Sequence, residues 1–404
     1  MKSIRSIYKI GRGPSSSHTI GPERACLCFK DKYPDADAFR IDLYGSLSKT
    51  GRGHGTDRVI RETLAPFPTE INFREELPTD ITHPNTMDFF ALRNGIELGS
   101  SRIISVGGGD IKIDGILSDA GSEEIYFENS YAEVSEFCRF RSLDLAEYVV
   151  FCEGDEILDF LKNIWNAMKA SIAEGLSASG ILPGGLKIER KAKHLFETPL
   201  EGETPQVRES RLISAYAFAV SEQNADCGTI VTAPTCGSCG IIPASLYYVQ
   251  QQRGLSDDDI VRALAVAGLF GNLIKHNASI SGAECGCQAE IGSACSMAAA
   301  ALTYLSGLGI DKTQYAAEIA LEHHLGLTCD PICGLVQVPC IERNAVSAMR
   351  AMNAAHLAYF LSDTQKISFD IVVRTMYETG ISMNDRFRET AEGGLAKMYN
   401  RRHR

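Results

Sequence analysis

Thirteen cysteines are the first residues of this 404-residue chain that could do chemistry, and several gather late in it. Asn277 to Glu290 (NASISGAECGCQAE) carries Cys285 and Cys287, Leu327 to Pro331 (LTCDP) carries Cys329, and Val338 to Asn344 (VPCIERN) carries Cys340. Cys329 follows Cys287 by 42 residues and Cys340 follows Cys329 by 11, unlike the tight cysteine run of a ferredoxin. Three separate segments, each polar and broken by Gly or Pro, could each offer one thiolate. Three thiolates and no fourth would leave one iron of a [4Fe–4S] cluster open, and an open iron is a Lewis acid rather than an electron carrier. Inert buried thiols are the competing reading. Cys236-Gly237-Ser238-Cys239 is a C-x-x-C, as in a redox pair or half a zinc site, but no second C-x-x-C follows at zinc-ribbon spacing.

Two polar segments bear histidine. Gly11 to Pro22 (GRGPSSSHTIGP) sets Ser15, Ser16, Ser17, His18 and Thr19 between glycines and prolines. Gly45 to Asp57 (GSLSKTGRGHGTD) repeats the theme as a loop after a strand, with His54 and Thr56. Glycines let backbone N–H groups converge and hydroxyls add donors. Such donors at a helix start hold an anion, a carboxylate as well as a phosphate. Neither segment matches the P-loop or the dinucleotide fingerprint. Together they could line one pocket. Lys187, after a Pro-Gly-Gly turn (LPGGLKIER), could pair with a carboxylate. No glycine-rich phosphate cup stands beside it to make it a pyridoxal-phosphate lysine.

The elements that must position these residues change character along the chain. To about residue 140 the pattern is mixed α and β, with strands expected at 39–44, at 102–106 and 111–113 about a glycine turn, and at 124–128. Beyond it, helical periods dominate: helices are expected over Asp155–Ser171, from Ser256, from Asp311 and over Asn344–Phe360, with a mostly buried one over 291–305. The fold class is an α+β N-terminal domain (1–140) followed by a mostly α-helical domain (141–404) that carries the thiols. Acidic residues outnumber basic ones, 51 to 40, which argues against coating nucleic acid or an anionic membrane. No apolar run reaches about 18 residues, and the start lacks the apolar stretch of a signal peptide. Unpaired thiols without export signals suit the cytoplasm.

In combination, GPSSSHT, GHGTD, LPGGLK, SGAE-x-GCQ-x-E-x-G-x-ACSMAAA and LTCDP-x-x-GLVQ-x-PCIERN resemble the iron–sulfur-dependent L-serine ammonia-lyases (L-serine dehydratases) in their single-chain form, from about residue 7 to about 360. The resemblance implies that the helical domain is catalytic, with Cys287, Cys329 and Cys340 as ligands of a [4Fe–4S] cluster and no pyridoxal phosphate. It implies elimination from L-serine to aminoacrylate, then pyruvate and ammonium. Ser15, Ser16, Ser17, Thr19, Thr56 and Thr235 are the substrate-binding candidates. His18 or His54 is the candidate base, since imidazole titrates near neutrality, and Lys187 is a second base or a carboxylate partner. The expected partner is a small amino acid, with neither nucleic acid nor membrane, and a homodimer is the base-rate expectation. Threonine or cysteine could replace serine, because one methyl is worth only about 1–3 kcal/mol. An amino-acid-binding regulatory protein with a structural cluster is the alternative from another class. The chain departs from the family at APTCGSCG, where APTNGAAG is common, and at Cys285 and Cys333. One of these extra thiols is a candidate cap for the open iron. No thiol is expected from the terminal Arg401-Arg402-His403-Arg404.

Overall fold

Alternating apolar residues in the first third of the chain build a six-stranded sheet. Its order is Thr69–Phe73, Ala38–Leu43, Thr86–Arg93, Ile96–Gly107, Asp110–Ile113 and Ile116–Leu117. These belong to a computed structural model that describes residues 1–402 apart from 77, 82, 118–123 and 362–363. Ala38–Leu43 pairs in parallel with Thr69–Phe73 and antiparallel with Thr86–Arg93. The parallel pair needs a crossover, which the helices Gly45–His54 and Thr56–Leu64 supply. Phe29 of helix Gly21–Lys32 packs on Phe39 and Phe89, with ring centroids 6.2 and 5.3 Å away, and closes a small core with Ile41, Leu43 and Ile103.

Two sequence expectations in this region are corrected. The segment 45–54 is a helix, not a loop. Its glycines serve close approach: a methyl built on Gly53 would lie 3.1 Å from the Cys333 carbonyl oxygen. Residues 124–128 are not a strand, because their partner is the start of the chain and not a neighbouring strand. The Ile125 and Tyr126 amides both donate to the Met1 carbonyl, and Tyr126 Oη donates to Glu153.

The rest is helical. Ser293–Leu305 is buried on every side from Ser293 to Thr303, as its small uncharged residues require, and the helices Asp257–Asn277, Gly309–Glu322 and Cys340–Leu361 pack around it. The helix expected from Ser256 does start there, and Ser256 and Asp259 form a capping box. The helix expected from Asp311 begins at Gly309, and the one expected from Asn344 begins at Cys340 itself. Met1, Ile4, Ile7 and Tyr8 are buried in this helical core, and the strand Ile10–Arg12 pairs with Thr229–Val231. The first residues thus anchor the sheet to the helices. Among the described residues no helix is long and apolar enough to cross a membrane.

Helix Glu156–Ser177 crosses Pro205–Ala225 at Gly175, where a methyl would fall 2.2 Å from the Ala219 carbonyl oxygen. Backbone cannot yield as a side chain can, so Gly175→Ala should cost about 1–3 kcal/mol despite its better helix propensity. A urea-unfolding midpoint at or above that of the parent would refute this crossing.

Candidate active site

His18 sits on a π-helical turn, Ser16–Ile20, that runs into helix Gly21–Lys32, with Pro22 in its first turn. The Thr19 hydroxyl donates to the Arg12 carbonyl, and the Thr56 hydroxyl donates to the His18 carbonyl at 2.7 Å. These two hydroxyls therefore build the turn. His18 is fully buried, with Nδ1 3.2 Å from Ser15 Oγ and Nε2 2.9 Å from Thr50 Oγ1 and 3.2 Å from Ser46 Oγ. Ser16 and Ser17 are buried in the same turn.

His54 ends helix Gly45–His54, and its ring lies 4.3 Å from that of His18. Its Nδ1 is 3.0 Å from the Thr50 carbonyl oxygen. A carbonyl only accepts, so Nδ1 carries the proton and Nε2 holds the lone pair. That Nε2 is buried and has no hydrogen-bond partner among the described residues. Burial pushes the His54 pKa down to about 4 and pushes that of His18 well below the ordinary range, where the neighbouring His54 adds to the shift. Both rings are neutral near pH 7.

The thiols approach from the helical side. The sulfurs of Cys287 and Cys329 and a carboxylate oxygen of Glu290 lie within 4.8 Å of one another. Cys340, the first residue of its helix, stands close enough to Cys287 for that charge to bear on it. The hydrogen bond from Cys329 holds Cys287 below the usual thiol range against burial, helped by Arg343, and the same bond with burial pushes Cys329 well up. Burial opposes the charge on Arg343, but Cys287, Cys340 and Cys329 more than offset it. Arg343 is also tied to the Thr328 carbonyl at 2.8 Å. A methyl built on Gly282 would lie 3.2 Å from the Cys329 sulfur and 2.6 Å from a Glu290 oxygen, so glycine keeps open a space beside both. Converging thiols and a carboxylate, a guanidinium beside them and that space fit a metal group held by thiolates.

Glu389 joins the two halves. Its amide donates to the Cys329 carbonyl at 2.7 Å, and its carboxylate is 3.8 Å from His18 Nδ1. Burial, with Glu290 and Cys287 acting the same way, pushes its carboxyl well above the usual range. Sequence reasoning assigned no role to Glu290, Arg343, Asn344 or Glu389, although the first three stand in the motifs quoted above. Asn344 binds the Gly240 amide and the Gly237 carbonyl, which fixes the turn after Thr235. Thr235 itself hydrogen-bonds Glu290.

Lys187 is not brought to this cluster. Its loop docks through Pro183, whose carbonyl accepts from Gln337, and through Gly184 against Leu335, while Lys187 stays exposed. Cys236 and Cys239 are buried in the Thr235 turn, with burial pushing both thiols up. Among the described residues, neither belongs to a cluster of metal-binding type. Cys285 packs on Gly380, and Cys333 is exposed.

This fold and site define an enzyme in which a thiol-rich centre faces a buried, unprotonated imidazole. The description "Serine dehydratase beta chain" matches residues 3–74 and "Serine dehydratase alpha chain" matches 81–396. The chain is 40% identical to the L-serine dehydratase TdcG of Escherichia coli, covering 98% of this chain and 99% of that one. It is 38% identical to the L-serine dehydratases of Streptomyces coelicolor and Helicobacter pylori, in each case over 98% of both chains. The protein belongs to the serine dehydratase family. The likeness extends past residue 360, where sequence reading ended it, and takes in Glu389.

Unfolded imidazole titrates near about 6.5, so as pH falls the unfolded chain takes up a proton before folded His54 does. Stability present above about pH 6.5 should therefore drain away toward about pH 4, by roughly 3 kcal/mol. His54→Gln should remove that share of the acid slope in urea titrations, and an unchanged slope would mean His54 is not held neutral.

Proposed function

We propose that the chain is an L-serine ammonia-lyase that converts L-serine to pyruvate and ammonium, with His54 as the base. The lone pair on His54 Nε2, buried and unpartnered, carries this reading. Cys287, Cys329 and Cys340 would hold a [4Fe–4S] cluster, which when bound supplies a Lewis acid for the departing hydroxyl. The remaining work falls to protein groups. His54 Nε2 removes the Cα proton while its Nδ1–H stays on the Thr50 carbonyl, which fixes the tautomer. His18, anchored through both nitrogens by Ser15, Ser46 and Thr50, holds the facing ring in place. The Ser15–Thr19 turn and Thr235 wall the substrate from water.

Glu389, between His18 and the thiols, is placed to receive the substrate ammonium, and that cation would draw its carboxyl back toward the charged form. Loss of the Cα proton and of hydroxide leaves aminoacrylate, which tautomerises and is hydrolysed to pyruvate and ammonium. No pyridoxal phosphate enters this scheme. Lys187, exposed on the loop that docks against Leu335 and Gln337, takes no part in this scheme. A cluster among free thiols suits a reducing compartment, and on that ground we place the protein in the cytoplasm, as a homodimer on base rates.

Anaerobic, iron-reconstituted protein should form pyruvate from L-serine and lose that activity in air. Cys287→Ser, Cys329→Ser and Cys340→Ser should each abolish colour and turnover. His54→Ala should keep the iron and lose about 10²–10⁴ in kcat, the usual worth of a general base. Loss of iron in His54→Ala would make the residue structural, and turnover indifferent to air and chelators would sink the cluster mechanism.

Glu389→Gln should raise KM for L-serine more than it lowers kcat, because an ammonium partner is lost while the base remains. An equal fall in kcat and kcat/KM would move Glu389 from substrate binding to the chemical step.

A further inference from the structure

Away from the imidazoles and thiols, helix Tyr131–Arg141 turns an aromatic face to solvent. Phe140 is 83% exposed on it, and Phe127 and Phe151, from the segments before and after, are 90% and 58% exposed. Phe137 joins them into one patch. Phe127, Phe137 and Phe140 line a single hollow of 420 Å³, and the Phe137 and Phe151 rings stand 5.4 Å apart. At about 200 Å² for a whole Phe side chain, the three exposed rings offer roughly 450 Å² on one copy. Contiguous apolar surface of that extent marks an interaction site rather than scattered exposure. Two of the acids around it are engaged within the chain: Glu133 accepts from the Ser130 amide as part of the helix cap, and Glu128 accepts from Tyr148 Oη. Glu136 and Arg141 are not so engaged. Glu136 makes no hydrogen bond or ion pair among the described residues. Arg141 forms no ion pair among them either, and lies over the Phe137 and Phe151 rings, 5.7 Å from each.

Glu136, Phe137, Phe140 and Arg141 share one face of the helix, because residues three and four apart are surface neighbours. Reversed, the order acid, Phe, Phe, base becomes base, Phe, Phe, acid, so the face is complementary to itself. Two such helices laid antiparallel, with a two-fold axis between Cys138 and Arg139, set Phe137 of each copy against Phe140 of the other. The same axis sets Glu136 of each copy against Arg141 of the other. We propose that this face is a two-fold interface between two copies of the chain, with Phe127 and Phe151 packed beside the helix pair. The exposed rings of both copies bring roughly 900 Å², most of the about 1,200 Å² at which specific interfaces begin, and Phe137 and the paired charges extend it. The charges at its edge fix the register. A self-complementary contact of this kind closes at two copies. It gives the homodimer proposed above its surface, and it depends on neither the cluster nor the lyase reading.

The test is sedimentation velocity of the anaerobic holoprotein over a series of concentrations. The parent should form a dimer with a dissociation constant at or below about 10 µM. Phe140→Glu puts a carboxylate at the centre of the patch and should weaken the dimer about tenfold or more, while keeping the parent's iron content and circular dichroism. Glu136→Arg and Arg141→Glu each bring like charges together and should also weaken it about tenfold. The double variant Glu136→Arg/Arg141→Glu exchanges the two charges and should return to within about threefold of the parent. A parent that stays monomeric throughout would overturn the interface and the homodimer with it. A dimer that Phe140→Glu leaves intact would overturn this interface while the homodimer stands on another face. A double variant no tighter than the single ones would overturn the antiparallel register. Growth beyond a dimer that Phe140→Glu abolishes would make the contact head-to-tail and overturn the two-fold.

Discussion

The active site rests on one close backbone approach between the two halves of the molecule. Helix Gly45–His54 lies against the loop Ile332–Gly334, which joins two of the cysteine segments. Each side contributes a glycine at the seam. A methyl on Gly53 would crowd the Cys333 carbonyl, and one on Gly334, whose φ is +69°, would lie 3.3 Å from Thr50 Cβ. Thr50 is also the residue that binds both imidazoles, His18 through its hydroxyl and His54 through its carbonyl. A methyl at Gly53 would force the two sides to give by a few tenths of an ångström, and catalysis is sensitive to placement on this scale, since a displacement of about 1 Å can cost on the order of 10²-fold in rate.

Charge is managed at the same seam. Glu290, Glu389 and three thiols stand in a buried region with Arg343 as the guanidinium among them. An isolated buried charge costs several kcal/mol, so such groups neutralise unless paired. Here the acids and Cys329 are pushed toward their protonated forms, and Cys287 is the thiol held down. The apolar lining that imposes this cost is the feature that strengthens electrostatic contacts to any cation entering the site.

The cysteines and histidines were legible in the sequence because their types are chemically distinctive and their segments are broken by Gly and Pro. The boundary of the helix at Cys340 was not, since Pro339 at its start reads equally well as a loop. Glu389 was invisible for a different reason. It is one acid in the charged stretch RFRETAEGG, and the backbone pairing of residues 387–389 with Cys329 brings it into the site. Lys187 shows the reverse. Its loop does dock near the cysteine segments, but Pro183 and Gly184 make the contact and the ammonium faces outward. The glycines at 51 and 53 suggested a loop because their helix penalty, about 1 kcal/mol each, is visible locally, whereas the tertiary approach that offsets it is not.

The two family matches meet between residues 74 and 81, and that junction falls inside the six-stranded sheet. Strand Ala38–Leu43 takes its parallel neighbour, Thr69–Phe73, from one side of the junction and its antiparallel neighbour, Thr86–Arg93, from the other. A chain cut there would have to rebuild the centre of a sheet between two molecules, with a long unpaired edge exposed on each until it did so. The covalent link replaces that encounter with an intramolecular one at an effective concentration that short linkers raise to the millimolar range. The same sheet carries helix Gly45–His54, so the link that completes the sheet also fixes the base against the thiols.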